Sequence, residues 1–192
     1  MNILKCFYSR IYFFCLYLIF KFERWHFKST YHCTPYKKNV VKLVNKNINV
    51  SESIVEIGCG LGEIIKRIDC HNRYGIDRCK KVINAARYIN KSDNITFLSE
   101  SFYDLNIKID HVILINFTHQ IPQVDLIKMI NEIILKLSPK TFFLDAYHKN
   151  FFKHLRHHNF TKIFNNFKNY KLIQKKLSDD GKRYFYVFKK TN

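Results

Sequence analysis

Glycine is scarce in this sequence and unevenly placed. The 192 residues include five glycines, and three of them, Gly58, Gly60 and Gly62, fall within a stretch of five residues. Glycine adopts positive φ without strain and lets a ligand approach the main chain where a Cβ would clash. A chain that avoids glycine elsewhere therefore has a backbone reason for the composition of this one turn.

Acidic residues are also few. The chain has 33 Lys and Arg against 15 Asp and Glu, which gives a formal net charge of +18. So basic a chain attracts polyanions, which include nucleic acid, an anionic membrane leaflet and phosphorylated substrates. The charge is scattered in pairs such as Lys37-Lys38 and Lys175-Lys176 and forms no basic arm. A merely solvated basic surface is the alternative.

No C-x-x-C pair occurs among the six cysteines. Their number is even, but the spacing favours a reduced, intracellular protein with cysteine as a small core residue over a disulfide framework. The cysteines are Cys6, Cys15, Cys33, Cys59, Cys70 and Cys79.

Metal-ligand spacing is missing as well. Four of the nine histidines, His148, His154, His157 and His158, crowd a segment rich in Lys, Arg and Asn, with no cysteine nearby. We predict no metal site there and expect a solvated or anion-binding face instead.

A hydrophobic fraction of 47% is typical of a globular domain and excludes disorder for the body of the chain.

Residues 11–20 form a continuous apolar run between Arg10 and Lys21. A membrane-crossing helix needs about 20 residues, so this run is too short unless the helix extends to the start with Arg10 inside it. No secretory cleavage site follows. The run is therefore interpreted as a helix in a membrane interface or as an apolar lid on the domain.

An aromatic cluster follows this run. It contains the one tryptophan, Trp25, together with His26 and, after Pro35, Tyr36. Such a cluster suits a substrate-side wall or stacking on a planar ligand, and an aromatic hinge is the alternative. We divide the chain into a helical N-terminal extension, residues 1–35, and a domain, residues 36–192.

The glycine turn follows a predicted buried strand, residues 54–57, and precedes a predicted helix, residues 63–68. A second predicted strand, residues 73–77, ends in Asp77, nineteen residues beyond Gly58. In a βαβ unit, an acid at the end of the second strand reaches ribose hydroxyls at this separation.

The spacing of the glycines separates cofactor classes. Dinucleotide sites use G-x-G-x-x-G, whereas Glu63 stands here where the last glycine would be. No lysine with Ser or Thr follows, as a nucleotide-phosphate loop would require. Glu56 precedes the first glycine by two positions. The pattern E-x-G-x-G-x-G, together with Asp77, resembles motif I of the class I S-adenosylmethionine-dependent methyltransferases.

The resemblance covers roughly residues 36–190. Glu100 and Ser101 follow a strand that resembles the third strand of the family, where many members have an acidic residue at the adenine. Residues 110–116 form a near-continuous apolar strand, typical of one buried on both faces. The turn at residues 178–181 joins two strands that resemble the antiparallel last pair of the family.

These observations predict an α/β fold. We expect a three-layer, doubly wound, seven-stranded, mostly parallel sheet with an antiparallel C-terminal hairpin and an N-terminal helical extension.

The resemblance implies that the cofactor is S-adenosyl-L-methionine. The backbone of residues 58–62 would pass close to its methionine part, and Glu56 would help to order its amino group. Asp77 would bind the ribose hydroxyls, and Glu100 or Ser101 would border the adenine. Because the methyl group is already activated on a sulfonium, the protein need only align a nucleophile and exclude water.

Two residues past the fourth strand are candidates for the acceptor side. His119 is our candidate general base, because a neutral imidazole can take a hydroxyl proton near pH 7. Asn116 is our candidate for orienting the substrate. Each has a structural alternative, since His119 can cap the strand and Asn116 can form a turn. Many methyltransferases also work without a base.

The acceptor itself is predicted from what surrounds the domain. The loop at residues 116–119 lacks the N/D-P-P-Y/F signature of amino-methylating nucleic-acid enzymes and has no cysteine for attack on a pyrimidine carbon. The apolar N-terminus with its basic flanks favours O-methylation of a small-molecule, glycan or lipid-linked acceptor by a cytoplasmic protein at the inner face of an anionic membrane. An RNA methyltransferase that uses the basic surface is the second choice. A non-catalytic binding module that retains the fold is the third.

Overall fold

A seven-stranded sheet forms the centre of the computed structural model, which describes residues 3–105, 107–152 and 154–191. The strands are β1 (Ser53–Ile57), β2 (Asn72–Ile76), β3 (Ile95–Leu98), β4 (His111–Leu114), β5 (Thr141–Tyr147), β6 (Tyr170–Leu177) and β7 (Arg183–Lys190). Their order in the sheet is β3-β2-β1-β4-β5-β7-β6. Neighbours among the first five strands are parallel, whereas β7 is antiparallel to both β5 and β6. The predicted fold class is thereby confirmed.

Helices cover both faces of this sheet. They are α1 (Ile3–Phe20), α2 (Trp25–Lys28), α3 (Pro35–Asn45), α4 (Lys80–Ile89), α5 (Gln123–Leu137) and α6 (Phe160–Phe164). Apolar side chains of α5 and α6 pack with one sheet face, and those of α3 and α4 pack with the other. All four residues of β4 are buried, as expected for a strand covered on both sides.

The helix that we predicted for residues 63–68 is wrong. Turns occupy this stretch, followed by one short 3₁₀ helix, Ile65–Arg67. Only the segment from Gly58 to His71 separates β1 from β2, and the glycine turn takes up its first part. The Ile65 N–H donates to the side chain of Glu56, and the rest of the segment forms turns and the 3₁₀ helix instead of an α-helix. The short helix α6 was not predicted, because five residues carry too little periodicity to recognise.

The N-terminal helix α1 extends well beyond the apolar run and contains Arg10. It packs on the domain through a narrow face that buries Cys6, Phe13 and Leu16, and Leu61 and α4 contribute to the same apolar cluster. By length and composition alone, α1 is long enough and apolar enough to cross a membrane. Its exposed side remains largely apolar.

Cys6 and Cys33 form a disulfide, so the expectation that the cysteines are reduced is wrong for this pair. The two residues are 27 positions apart in sequence. They meet because the chain reverses after α1 and returns along it before α3 begins. The other four cysteines are free.

Candidate functional site

The glycine turn lies at the carboxyl end of β1 and is fixed against β2. The N–H groups of Gly58 and Cys59 both donate to the carbonyl oxygen of Ile76, at 2.8 and 3.0 Å. Gly60 has a φ of +54°, and an added Cβ would lie 2.9 Å from Cε1 of His26. Both the backbone conformation and the lack of space therefore require glycine at this position.

Asp77 follows β2 and contacts this turn directly. Its Oδ2 accepts from the Gly60 N–H at 3.1 Å, and its Oδ1 accepts from the Cys79 N–H at 2.9 Å. Burial raises the pKa of Asp77, although the two backbone donors oppose that shift. The carboxyl group is thus held at the junction of β1, β2 and α4, where the sequence spacing predicted it.

Glu56 is buried beneath the same turn. Its Oε2 accepts from the N–H of Ile65 at 3.0 Å. Burial raises the pKa of Glu56 to about 8, with nearby Glu63 and Asp77 adding to the shift and Lys37 opposing it. A cationic ligand beside this group would favour the carboxylate form.

Two cavities meet at the turn. The outer cavity, of about 360 Å³, is lined by Asp77, Glu100 and Ser101 together with apolar side chains. The inner cavity, of about 170 Å³, is lined by Glu56, all of the turn from Gly58 to Leu61, and Asp77. The seven residues predicted to bind the cofactor include six that line these cavities, while Gly62 lies at the edge of the turn with a φ of +73°.

The geometry fits a ligand such as S-adenosylmethionine. Gly58 and Asp77 line both cavities, so one extended ligand can contact both. A Cβ on Gly58 would lie 3.0 Å from the Phe117 ring, so a larger residue at position 58 would narrow the gap between the two cavities. The buried carboxyl group of Glu56 and the half-buried one of Asp77 suit a cofactor that bears positive charge. Their roles as ligands of the cofactor stay predictions.

The segment around α2 covers the turn. Trp25 and His26 stack with ring centroids 3.6 Å apart, and the Trp25 indole N–H donates to Glu23. Both residues line the inner cavity, as does Tyr36 from α3. Burial, together with the charge of Lys37, lowers the pKa of His26 to about 3, so its imidazole is neutral near pH 7. The three residues predicted to form a substrate wall therefore lie at the cofactor cavity.

An ion pair holds the segment around α2 in place over the glycine turn. Lys37 Nζ lies 2.6 Å from Glu63 Oε2 and donates to the carbonyl oxygen of Ser29 at 2.5 Å. The Tyr31 N–H donates to Glu63 Oε1 at 2.8 Å. Glu63, which distinguishes this turn from a dinucleotide loop, thus binds the N-terminal segment.

Asn116 forms the turn after β4 and also lines the inner cavity. Its φ is +67°, and its N–H donates to Asp145 Oδ1 at 2.8 Å. Its side-chain oxygen accepts from Arg183 Nη2 at 2.7 Å. The side-chain carbonyl is therefore engaged by protein donors, and the role of Asn116 in orienting a substrate stays a prediction.

His119 lies in the 3₁₀ helix Thr118–Gln120 and is partly buried. Burial lowers its pKa, and its ring centroid is 5.0 Å from that of Tyr147. At this end of the inner cavity the lining side chains are those of Asn116, Phe117 and Gln120. The role of His119 as a base stays a prediction.

Sequence reasoning missed a buried ionic cluster beside Asn116. Arg183 pairs with Asp145 at 2.5 Å and donates to the Tyr147 hydroxyl at 2.6 Å. Its guanidinium lies between two rings, 3.9 Å from the Tyr36 centroid and 4.1 Å from the Tyr147 centroid. The pairing of β7 with β5 brings these residues together, and no local pattern signals it.

Within the described ranges, no group of three or more His, Cys, Asp or Glu side chains is arranged to hold a metal ion.

Residues 55–144, a little under half of the chain, match the protein family described as "Methyltransferase domain". No curated protein is significantly similar to the chain in sequence. Many solved structures share the fold.

Magnesium protoporphyrin IX methyltransferase from Synechocystis PCC 6803 with bound SAM is 16% identical, with a TM-score of 0.69 over 83% of this chain and 81% of that one. N-methyltransferase NodS from Bradyrhizobium japonicum WM9 is 13% identical, with a TM-score of 0.66 over 82% and 95%. Small RNA methyltransferase HEN1 is 12% identical, with a TM-score of 0.66 over 82% and 25%.

The family match runs from within β1 to within β5 and includes the glycine turn and Asp77, and the fold carries the antiparallel last pair of strands. Residues 55–144 therefore resemble a methyltransferase domain, and the chain has the fold of the class I S-adenosylmethionine-dependent methyltransferases, whose cofactor, S-adenosyl-L-methionine, fits the site described above.

Proposed function

We propose that this methyltransferase O-methylates a small-molecule, glycan or lipid-linked acceptor at the anionic inner face of a membrane, from the cytoplasmic side. The observation that carries the proposal is the exposed side of α1. Ile3, Leu4 and Phe7 are 76%, 67% and 59% exposed, and Ile19 near the other end is 68% exposed. Contiguous apolar side chains of this kind on a soluble surface are typical of membrane or protein contacts.

The basic residues beside this apolar surface favour a membrane as its partner. Lys5, Arg10, Lys21 and Arg24 lie along and just beyond α1, and no acidic residue lies within it. Arg10 also lines a cleft with Phe7 and other apolar side chains of α1. Apolar residues that enter the acyl boundary, with cations beside them on the headgroups, make up the amphipathic pattern of interfacial helices.

The exposed side of α1 is close in sequence to the cofactor cavity. Only a few residues separate the end of α1 from Trp25 and His26, which line the inner cavity. An acceptor that enters from the membrane would therefore reach the cofactor along the α2 segment. The His119 imidazole, whose pKa is lowered by burial, is neutral near pH 7 and is the proposed acceptor of the hydroxyl proton.

RNA is the second candidate acceptor. The net charge of +18 supports it, and HEN1, a small RNA methyltransferase, shares the fold. Binding through phosphate contacts would weaken steeply with salt, whereas insertion of apolar side chains would not.

Liposome flotation of the full-length protein tests the proposal. We expect the protein to float with vesicles that contain phosphatidylglycerol and to float poorly with phosphatidylcholine alone. A triple variant, Leu4→Gln, Phe7→Gln and Ile11→Gln, should remain in the soluble fraction. The control carries Val124→Gln and Leu135→Gln, which change exposed apolar residues on α5.

Equal flotation of the wild type and the triple variant would refute the membrane contact. Tight binding of RNA with a steep salt dependence, in the absence of flotation, would support the second candidate instead.

A further inference from the structure

A cavity of about 370 Å³ lies outside the cofactor site, at the carboxyl end of β5. His148, Lys149 and His157 line it from the segment after β5, Lys175 lines it from β6, and Tyr184 lines it from β7. The described lining residues include no carboxylate. The cavity therefore offers hydrogen-bond donors and positive charge without a competing acid.

Lys175 reaches this cavity because of a bulge in β6. The ladder shifts by one residue just before Gln174, so that Lys175 pairs with Tyr186. In an unbroken ladder Lys175 would pair with Phe185, whose side chain belongs to the core on the other face of the sheet. Directly opposite residues share a face, and Lys175 Nζ lies 4.5 Å from the Tyr184 ring centroid. The bulge thus places an ammonium group at the cavity.

The histidines of this cavity are held in defined orientations. The Asn150 N–H donates to His148 Nδ1 at 3.3 Å, so Nε2 is the nitrogen of His148 that carries the proton. His157 Nδ1 lies 3.2 Å from the Tyr147 carbonyl oxygen, which can only accept, so Nδ1 carries the proton there. His157 Nε2 is buried, and no described residue pairs with it. This nitrogen is therefore available to a ligand in the cavity.

We propose that this cavity is a subsite for a phosphate monoester group of the methyl acceptor. Ammonium, imidazole and phenol donors from several directions suit a tetrahedral dianion, because each donor can meet a different oxygen. The cavity has no arginine in its described lining, so it lacks the planar fork that favours a carboxylate.

The position of the subsite deepens the proposed function, on which it rests. Tyr147 lines the cavity, and its hydroxyl group lies 3.3 Å from the side-chain oxygen of Asn116. Asn116 lines the inner cofactor cavity. Tyr147 and Asn116 therefore lie between the two cavities, close enough for an acceptor anchored by its phosphate group to extend past them and present a hydroxyl group to the cofactor. The predicted substrate class is therefore a phosphorylated alcohol.

Calorimetric titration of the full-length protein with phenyl phosphate tests the subsite. We expect saturable binding that weakens about tenfold in Lys175→Met. The matched control is Lys176→Met, which removes the same charge from the next residue of β6, on the opposite face of the strand. Equal weakening in both variants would show that diffuse surface charge binds the anion and would overturn the proposal. An absence of saturable binding to the wild type would also overturn it.

Two further titrations identify the source of the phosphate group. Vesicles of phosphatidylcholine with phosphatidic acid present the monoester on a lipid, and their competition with phenyl phosphate would support a lipid-linked acceptor. A short RNA without terminal phosphate presents only diesters, and its competition would overturn the monoester assignment. S-adenosylhomocysteine is titrated into the same samples. If S-adenosylhomocysteine binds while phenyl phosphate does not, the subsite fails alone. If phenyl phosphate binds while S-adenosylhomocysteine does not, the proposed methyltransferase function fails.

Discussion

The imidazole of His26 occupies the space above Gly60, where an added Cβ would lie 2.9 Å from Cε1 and 3.1 Å from Nδ1. Gly60 also donates its N–H to Asp77. One backbone position therefore contacts both the covering segment and the carboxylate predicted to bind ribose. We therefore expect cofactor binding to depend on the packing of His26 against this turn.

Replacement of Gly60 by alanine is expected to weaken binding of S-adenosylhomocysteine at least tenfold, because the new methyl group displaces His26 and strains the turn. The matched control is Gly181→Ala, which has a similarly positive φ of +70° but no atom within 4 Å of the added Cβ. Both variants should lose about 1 kcal/mol of stability through backbone strain. Calorimetric titration and thermal unfolding separate the two effects, and equal affinity in both variants would contradict this dependence on His26.

Glu56 makes stability fall as pH rises. Below its ordinary pKa of 4.5 the carboxyl group is protonated in both the folded and the unfolded chain. Between 4.5 and the folded pKa of about 8 the folded chain holds one more proton, so the free energy of unfolding decreases, by up to about 1.4 kcal/mol per pH unit. Glu56→Gln removes this dependence.

Urea unfolding at several pH values between 4.5 and 8 checks this expectation. The difference in stability between Glu56→Gln and the wild type should increase in favour of the variant as pH rises. Glu132→Gln, at an exposed position on α5, is the control and should follow the wild type. Parallel curves for all three proteins would mean that Glu56 does not retain its proton in the fold.

The parts of the site that local sequence patterns predicted are those that depend on neighbouring residues. The spacing of Gly58, Gly60 and Gly62 and the apolar runs around them are local signals, and they led to β1, the turn, β2 and Asp77. The same reasoning wrongly predicted a helix at residues 63–68. Ile64, Ile65 and Ile68 have helical spacing, but they are buried from a turn and a short 3₁₀ helix.

The remaining features depend on contacts between distant parts of the chain. His26 meets Gly60 only after α1 has folded back onto the domain, and Cys6 meets Cys33 by the same reversal. Arg183 finds its partners only when β7 pairs with β5. No periodicity encodes such pairings, so a single sequence does not reveal them.

His119 provides a test of base catalysis. If it removes the proton from the acceptor hydroxyl, His119→Gln should lower kcat by about 100-fold or more, with KM little changed. Because burial lowers its pKa, wild-type activity should decline only below pH 6.5, and the variant should lack that decline. His154→Gln, at an exposed position, is the control. An unchanged kcat in His119→Gln would eliminate the base role.

The Cys6–Cys33 disulfide is expected to hold α1 on the domain. Closure of a loop of this length stabilises by about 2–4 kcal/mol, so dithiothreitol should lower Tm and speed tryptic cleavage after Lys21 and Arg24. Cys33→Ser should behave like the reduced wild type and be insensitive to dithiothreitol. Cys15→Ser, a free and exposed cysteine on the same helix, should resemble the wild type. Protection of the cleavage sites in Cys33→Ser would show that packing alone holds α1.

Loss of Arg183 should be much more costly than loss of an exposed cation. Arg183→Met leaves the carboxylate of Asp145 buried without its partner, which costs about 3–5 kcal/mol. Adding Asp145→Asn should recover part of this loss, since a neutral amide still accepts from the Asn116 N–H. Lys140→Met removes a cation whose side chain is 56% exposed in its ion pairs, so it should lower the free energy of unfolding by about 1 kcal/mol or less. Chemical denaturation measures all three, and a double variant less stable than Arg183→Met would show that Asp145 stabilises the turn independently of Arg183.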